Sequence, residues 1–332
     1  MYALVTGGNG FLGKYIVEQL LARGDKVRVF CRKNQDFCCL ENIDVCLGDL
    51  RDVDDVNKAT QNVDIVFHTA AMAGISCRKK MFWDINATGT LLLINACLNN
   101  HVKKFIYTSS PSVVFDGNNQ NGINESTPYP AQWLAHYPET KAKAEQIVLA
   151  SNGKQELLTC AIRPHLIWGP RDRHIFPRLI ERAKQKKLKR IGDGTNIVDI
   201  TYVENAATAH LQAADALTAG SRVAGNAYFI SQGEPVNCWG FINRLLSLVQ
   251  LPPIERSISF ESAWRTGMFF EFFYNVLRLK AEPNLTRFLV LQLARSHWFD
   301  ISRAQNDFGY KPLISTEEGL ERLAREVKGN LS

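Results

Sequence analysis

Several features that would place a chain quickly are scarce here. Eight cysteines are present, but no two stand at the CxxC spacing of a zinc ribbon or redox pair, and the seven histidines form no HExxH or similar cluster. No metal is expected. In a chain of this length such cysteines read as reduced thiols of a cytoplasmic protein, not as a disulfide framework. Charge of one sign is also scarce: 39 basic against 33 acidic residues leave a formal +6, which signals no long-range attraction to polyanions. The densest basic run is Arg182, Lys184, Lys186, Lys187, Lys189 and Arg190. It carries no interleaved aromatics to stack bases, so it reads as a solvated helix end and no nucleic-acid partner is expected. The apolar stretch 267–277 is too short, and broken by Glu271 and Asn275, to span a membrane. A first strand starting at residue 2 leaves no room for a signal peptide.

What is present is an apolar content of 45%, enough for a substantial core, and a glycine-rich turn that organises the chain. An apolar run over 2–5 leads into Gly7, Gly10 and Gly13, and then into a helix over 11–22. Strand, tight turn and helix in this order form a dinucleotide cradle. Gly7 permits the turn, Gly10 lets backbone approach a pyrophosphate, and Gly13 lets helix and strand lie close. Phe11 and Leu12 open the helix whose free amides face the phosphates. A glycine turn with no ligand is the alternative.

Downstream features agree with the cradle. The second strand, 26–31, ends on Arg32 and Lys33, where an acid would hold a ribose diol. Two cations suit a 2′-phosphate, so NADP is the expected cofactor; the alternative makes them loop charges and gives the acid's work to Asp36. After the third strand, 43–47, Asp49 can reach an adenine amino group while Leu50 lies against the ring. Ala70 and Ala71, after the fourth strand, are small enough for a cofactor to lie over the strand ends. A long helix from about 79 to 98 and a fifth strand, 104–108, complete the pattern. The alternation predicts an α/β fold, a Rossmann-type doubly wound parallel sheet.

Tyr137 and Lys141 stand one helical turn apart and project from one face. An ammonium nearby lowers a phenol's pKa, and such a tyrosine can pass a proton to a ketone oxygen as hydride reaches carbon. Ser110, at the edge of the fifth strand, is placed to bind the same oxygen. The chain thus reads as a ketoreductase.

These motifs resemble the extended short-chain dehydrogenase/reductase family. The glycine pattern, Asp49-Leu50, Asn86-x-x-Gly89-Thr90, Ser110, Tyr137-x-x-x-Lys141 and Ile162-Arg163-Pro164 all stand where that family has them, over nearly the whole chain. Within it the chain is similar to the 3β-hydroxysteroid dehydrogenase branch, and there to the bacterial 2-alkyl-3-oxoalkanoate reductases of long-chain olefin biosynthesis. The segments 107–117, 129–131, 134–138 and 227–235 carry this last likeness. The resemblance implies that Lys141 meets the nicotinamide ribose, that Ser110 rather than Ser109 and Tyr137 hold the substrate oxygen, and that Asn86 lies near the catalytic centre. It further implies NADPH as hydride donor, a long-chain 2-alkyl-3-keto acid as substrate, and an assembly with the other pathway enzymes. The sterol-4α-carboxylate 3-dehydrogenases are the runner-up, although they prefer an acid where this chain has Arg32. An NADP-binding scaffold without catalysis and a nucleotide-sugar epimerase are the remaining alternatives.

The expected organisation is a Rossmann core over 1–165 and a smaller, mostly helical substrate lobe over 166–332, with segments about 195–230 returning to the core sheet. A strand is expected over 197–200, and a late helix starting near Trp298, which serves as core or pocket lid. His136, His165, Trp168 and Arg171 are substrate-side candidates; Arg171 or His165 could pair with a carboxylate, the alternative being packed and surface residues. The apolar segment 267–277 offers a wall of the substrate cavity, a homodimer contact, a piece of helix core or a surface for peripheral membrane contact.

Overall fold

A computed structural model describes the chain except for residues 34–41, 75–78, 174, 278, 280 and 330–332. Asp36, the alternative acid after the second strand, lies outside the described residues, as do Cys38, Cys39 and Cys77.

The main sheet contains β1 (Tyr2–Thr6), β2 (Lys26–Cys31), β3 (Ile43–Leu47), β4 (Ile65–His68), β5 (Lys104–Thr108), β6 (Leu158–Pro164) and β7 (Ala227–Ile230). Its seven strands lie in the order β3-β2-β1-β4-β5-β6-β7, and every pairing is parallel. Ala3, Leu4 and Val5 of β1 are fully buried, as are Phe105 and Ile106 of β5, because helices cover both faces. The strand order reverses between β1 and β4. Such a crevice at the carboxyl ends is where open α/β sheets bind ligands.

The helices are α1 (Phe11–Ala22), α2 (Val53–Thr60), α3 (Lys79–Asn99), α4 (His136–Leu149), α5 (Ile175–Lys184), α6 (Val203–Ala216), α7 (Cys238–Ser247), α8 (Phe260–Val276), α9 (Arg287–Ala294), α10 (Ser302–Phe308) and α11 (Thr316–Gly329). One face of the sheet packs with α1 and α6, and the other joins α2, α3 and α4 through Val56, Leu93, Ala144 and Val148. Among the described residues α3 alone has the length and apolarity to cross a membrane, yet half of that stretch is buried inside the protein. It is a core helix of the sheet. Its middle, Trp83–Thr88, widens into a π-helical turn that presents Asn86 inward.

A separate core around Trp168, Tyr202, Trp239, Phe241 and Leu245 organises the largely helical C-terminal region. Two expectations change here. Ile197–Val198 and Thr201–Tyr202 are separate short strands in different sheets, and Asp199 sits between them. Trp298 belongs not to a helix but to the strand His297–Phe299, which pairs in parallel with Gln120–Ile123. Burial alternates along that strand and the Trp298 ring covers Gly122; the next helix, α10, begins only at Ser302. The Trp298 side also borders an open cleft of about 500 Å³ with Gly122, Gly233, Asp300 and Gln305. None of Ser110, Tyr137 and Lys141 lines it.

Candidate active site

The turn after β1 fits a pyrophosphate. Gly7 has φ +69°, a left-handed angle that favours glycine, and a Cβ on Gly13 would collide with the Gly7 carbonyl oxygen. Gly10 caps α1 without a side-chain hydrogen bond, so its first amides are not covered by a capping group. Phe11 packs edge-on against Tyr15, while Leu12 is buried. Ala70 lies against Gly7, and its amide donates to the Thr6 hydroxyl at 3.3 Å; Ala71 is exposed. At the far end Leu50 packs on Gly89, and the Asp49 carboxylate accepts two bonds from the Arg51 guanidinium, at 2.9 and 2.6 Å. Those bonds hold Asp49 down to about 2, with Arg32 adding to them against the effect of burial. Arg32 and Lys33 are exposed, and Lys33 takes a bond from Asn9 of the glycine turn on its carbonyl.

The second cluster lies at the carboxyl end of β5 and the first turns of α4. Ser110 ends the extended segment, and its hydroxyl caps the turn Pro111–Val114, accepting from the Ser112 amide at 3.2 Å and bonding the Ser112 hydroxyl at 2.9 Å. Tyr137 is half-buried in the first turn of α4. Burial raises its phenol above the ordinary value, and the nearby Ser110 hydroxyl pulls the other way. Lys141, one turn on, is 3% exposed. Its ammonium donates to the Thr108 carbonyl at 2.5 Å and lies 4.2 Å from the centre of the Tyr107 ring. Burial lowers Lys141 to about 7, with Glu145 resisting. The sequence suggests an ammonium that lowers the phenol; here burial dominates both groups and pushes each toward its neutral form.

Two buried histidines flank this cluster, and sequence reasoning missed both. The Thr90 hydroxyl gives its proton to the Asn86 carbonyl at 2.6 Å, so His68 must donate through Nε2 to Thr90 (2.9 Å) and accept through Nδ1 from Thr6 (2.6 Å). His210 donates through Nδ1 to the Ala206 carbonyl at 2.7 Å and accepts from the Thr108 hydroxyl at 2.8 Å. Burial, and then the charge of Lys141, lowers His68 to about 3; burial foremost lowers His210 to about 4. Both are neutral. The Asn86 side chain bonds both backbone groups of Met72, at 2.7 and 3.0 Å, and the Thr140 hydroxyl at 3.1 Å, tying the loop after β4 to α4.

The four substrate-side candidates are dispersed. His136 is partly exposed, with Nδ1 3.5 Å from Glu139. His165 is buried and bonds His297 at 2.6 Å; burial pushes His165 well toward the neutral form and lowers His297 too. Trp168 packs in the C-terminal core against Tyr202 and Phe241. Arg171 already has a carboxylate: its guanidinium forks onto Glu18 at 2.5 and 2.8 Å and lies over the Tyr15 ring.

A doubly wound parallel sheet, a glycine cradle after its first strand and a serine, tyrosine and lysine at its carboxyl edge define an oxidoreductase of the extended short-chain dehydrogenase/reductase class, acting on a carbonyl or hydroxyl group. Residues 4–258 match the 3-beta hydroxysteroid dehydrogenase/isomerase family, and the chain belongs to it. It is 44% identical to the 2-alkyl-3-oxoalkanoate reductase of Stenotrophomonas maltophilia (strain K279a), over 97% of this chain and 98% of that protein. It is 36% identical to the decarboxylating sterol-4-alpha-carboxylate 3-dehydrogenase of Mus musculus, over 96% of this chain and 88% of that one. Its fold is similar to that of UDP-glucuronic acid 4-epimerase from Bacillus cereus in complex with NAD, with a TM-score of 0.78, 22% identity and complete coverage of both chains.

The solved structures correct the cofactor expectation. That epimerase and other sugar-nucleotide enzymes of the same fold hold NAD, which sets aside the specific requirement for NADP read from Arg32 and Lys33. Both cations are exposed, and the field of Arg32 already reaches a carboxylate, Asp49, so charge at this strand end does not by itself specify a 2′-phosphate.

Proposed function

We propose that this protein reduces the 3-oxo group of a 2-alkyl-3-oxoalkanoic acid to the 3-hydroxy acid, with Tyr137 as proton donor. The observation that carries the reading is the Tyr137 phenol beside the Ser110 hydroxyl, with burial holding its proton. Reduction needs an acid at the carbonyl oxygen, and a protonated phenol is one. The substrate comes from the full-length likeness to the 2-alkyl-3-oxoalkanoate reductase.

A reduced nicotinamide dinucleotide, when bound, supplies the hydride. Gly7, Gly10 and Gly13 with the amides of Phe11 and Leu12 would hold its pyrophosphate, Asp49 and Leu50 its adenine, and Ala70, Ala71 and Asn86 would line the path to the nicotinamide end. Ser110 and Tyr137 orient the carbonyl oxygen. As the C–H bond forms, the carbonyl π pair moves to oxygen and takes the Tyr137 proton; the Lys141 ammonium stabilises the phenolate left behind until solvent reprotonates it. The reading extends to a cytoplasmic step of long-chain olefin formation beside the enzymes that supply the keto acid and consume the product. The exposed apolar end of α8 supports contact there with a second copy, a pathway partner or a membrane.

Replacing Tyr137 with Phe tests the reading. Oxidation of the reduced cofactor in the presence of a 2-alkyl-3-keto acid should fall about 10³-fold, while cofactor binding followed by fluorescence persists. Retained turnover would remove Tyr137 from its role. A wild-type protein that ignores the keto acid but oxidises a 3-hydroxysterol-4-carboxylate would replace the substrate.

A further inference from the structure

Among the described residues, the groups that meet Lys141 from β4, β5 and α6 carry no charge to balance its own. From β5 it meets the Thr108 carbonyl and the Tyr107 ring; from β4 and α6 it feels His68 and His210, both neutral; on α4 itself Tyr137 is held protonated. Among the described residues the carboxylate that favours its ammonium is Glu145, a turn further along the same face of α4 and fully buried. Glu145 is itself locked in place. Its Oε1 accepts from the Tyr129 hydroxyl at 2.7 Å and from Arg163 at 2.5 Å, and its Oε2 accepts from Arg163 Nε at 2.9 Å. Arg163, 4% exposed on β6, is fixed between the Phe229 and Tyr129 rings. Burial opposes ionisation of Glu145, and Arg163 outweighs it, so the carboxylate persists.

We propose that Glu145, clamped by Arg163 and Tyr129, is the positioning residue for Lys141: its buried charge keeps the ammonium seated on the Thr108 carbonyl beside Tyr137. Such a device explains why an ion pair that contributes little to stability once both charges are desolvated stands directly behind the catalytic helix turn. The inference rests on Lys141 serving the reaction proposed above only where turnover is read; its effect on the proton affinity of Lys141 stands by itself. With Glu145 neutralised, Lys141 releases its proton at lower pH, so any activity that requires the ammonium is lost at lower pH as the medium becomes alkaline.

The test is the titration of Lys141 in protein labelled with ¹³C at the lysine ε-carbons, the resonance assigned by its loss in Lys141→Met. In Glu145→Gln the midpoint should fall by about one pH unit, and the alkaline limb of the turnover profile should move by the same amount. Arg163 left alone in the core can unfold the single variant, so Glu145→Gln with Arg163→Met is measured beside it and should shift in the same direction. A folded variant whose Lys141 midpoint stays at the wild-type value overturns the proposal, even if turnover drops evenly at all pH values, since that is what a merely structural residue would do. A shifted midpoint in a protein that fails to reduce the keto acid upholds the positioning role and rejects the substrate.

Discussion

The first strand and the eighth helix are both rich in apolar residues, and the fold treats them in opposite ways. Ala3, Leu4 and Val5 of β1 have no exposed surface, whereas Phe269, Phe272 and Val276 of α8 are 62%, 67% and 61% exposed. Strand β1 lies between β2 and β4, with side chains alternating onto two helical layers. Helix α8 buries only Ala263 and Gly267, where Gly267 crosses the backbone of Thr286 and Arg287, and its second half projects past that crossing. The contrast teaches that apolar composition sets what burial could contribute, while the number of covered sides sets what it does contribute.

The contrast is sharpened most by a change where the backbone is packed on itself. Gly13→Val places side-chain atoms against the Gly7 carbonyl; it should lower stability by about 3 kcal/mol or more in urea unfolding and weaken cofactor binding. An unchanged midpoint would mean that the cradle yields as readily as the lobe. A middle-sized effect belongs to Asp199, fully buried, its amide bonded to the His297 carbonyl and its Oδ2 accepting from the Phe299 amide. Burial raises it to about 6, against the effects of the Phe299 amide and Ser231. The folded protein therefore holds this proton more tightly than the unfolded chain does. The resulting stability is complete below about pH 4 and is lost as pH rises through about 6, roughly 2–3 kcal/mol. Subtracting the unfolding curve of Asp199→Asn from that of the wild type isolates the effect, and a flat difference between pH 4 and 7 would refute it. The smallest change belongs to the projecting helix: Phe272→Ser should alter stability by no more than about 0.5 kcal/mol. A larger loss that depends on protein concentration would show that a second copy covers α8 in solution.

The alternating strands and helices, the glycine turn after β1 and the shared helix of Tyr137 and Lys141 were legible because each depends on spacings of a few residues. Periods of two and of about 3.6 repeat locally, and a side chain four positions along a helix lies on the same face. The strand at Trp298 was not legible, since its partners, Gln120–Ile123 and Ile197–Val198, both lie far earlier in the chain. Nor were the partners of the substrate-side candidates: His165 meets His297 and Arg171 meets Glu18 across more than a hundred residues. Ile197–Val198 and Thr201–Tyr202 part company for the same reason, each following its own neighbouring strand.

By itself the sequence determined the class of fold, the position of the glycine turn after β1 and the chemical identity of the groups at the sheet's carboxyl edge, all through short-range geometry. Only the tertiary structure decided how those groups hold their protons. Whether a phenol and an ammonium share charge or both shed it depends on how much water reaches them and on whether Arg163, from another strand, keeps Glu145 ionised, and no local spacing encodes either.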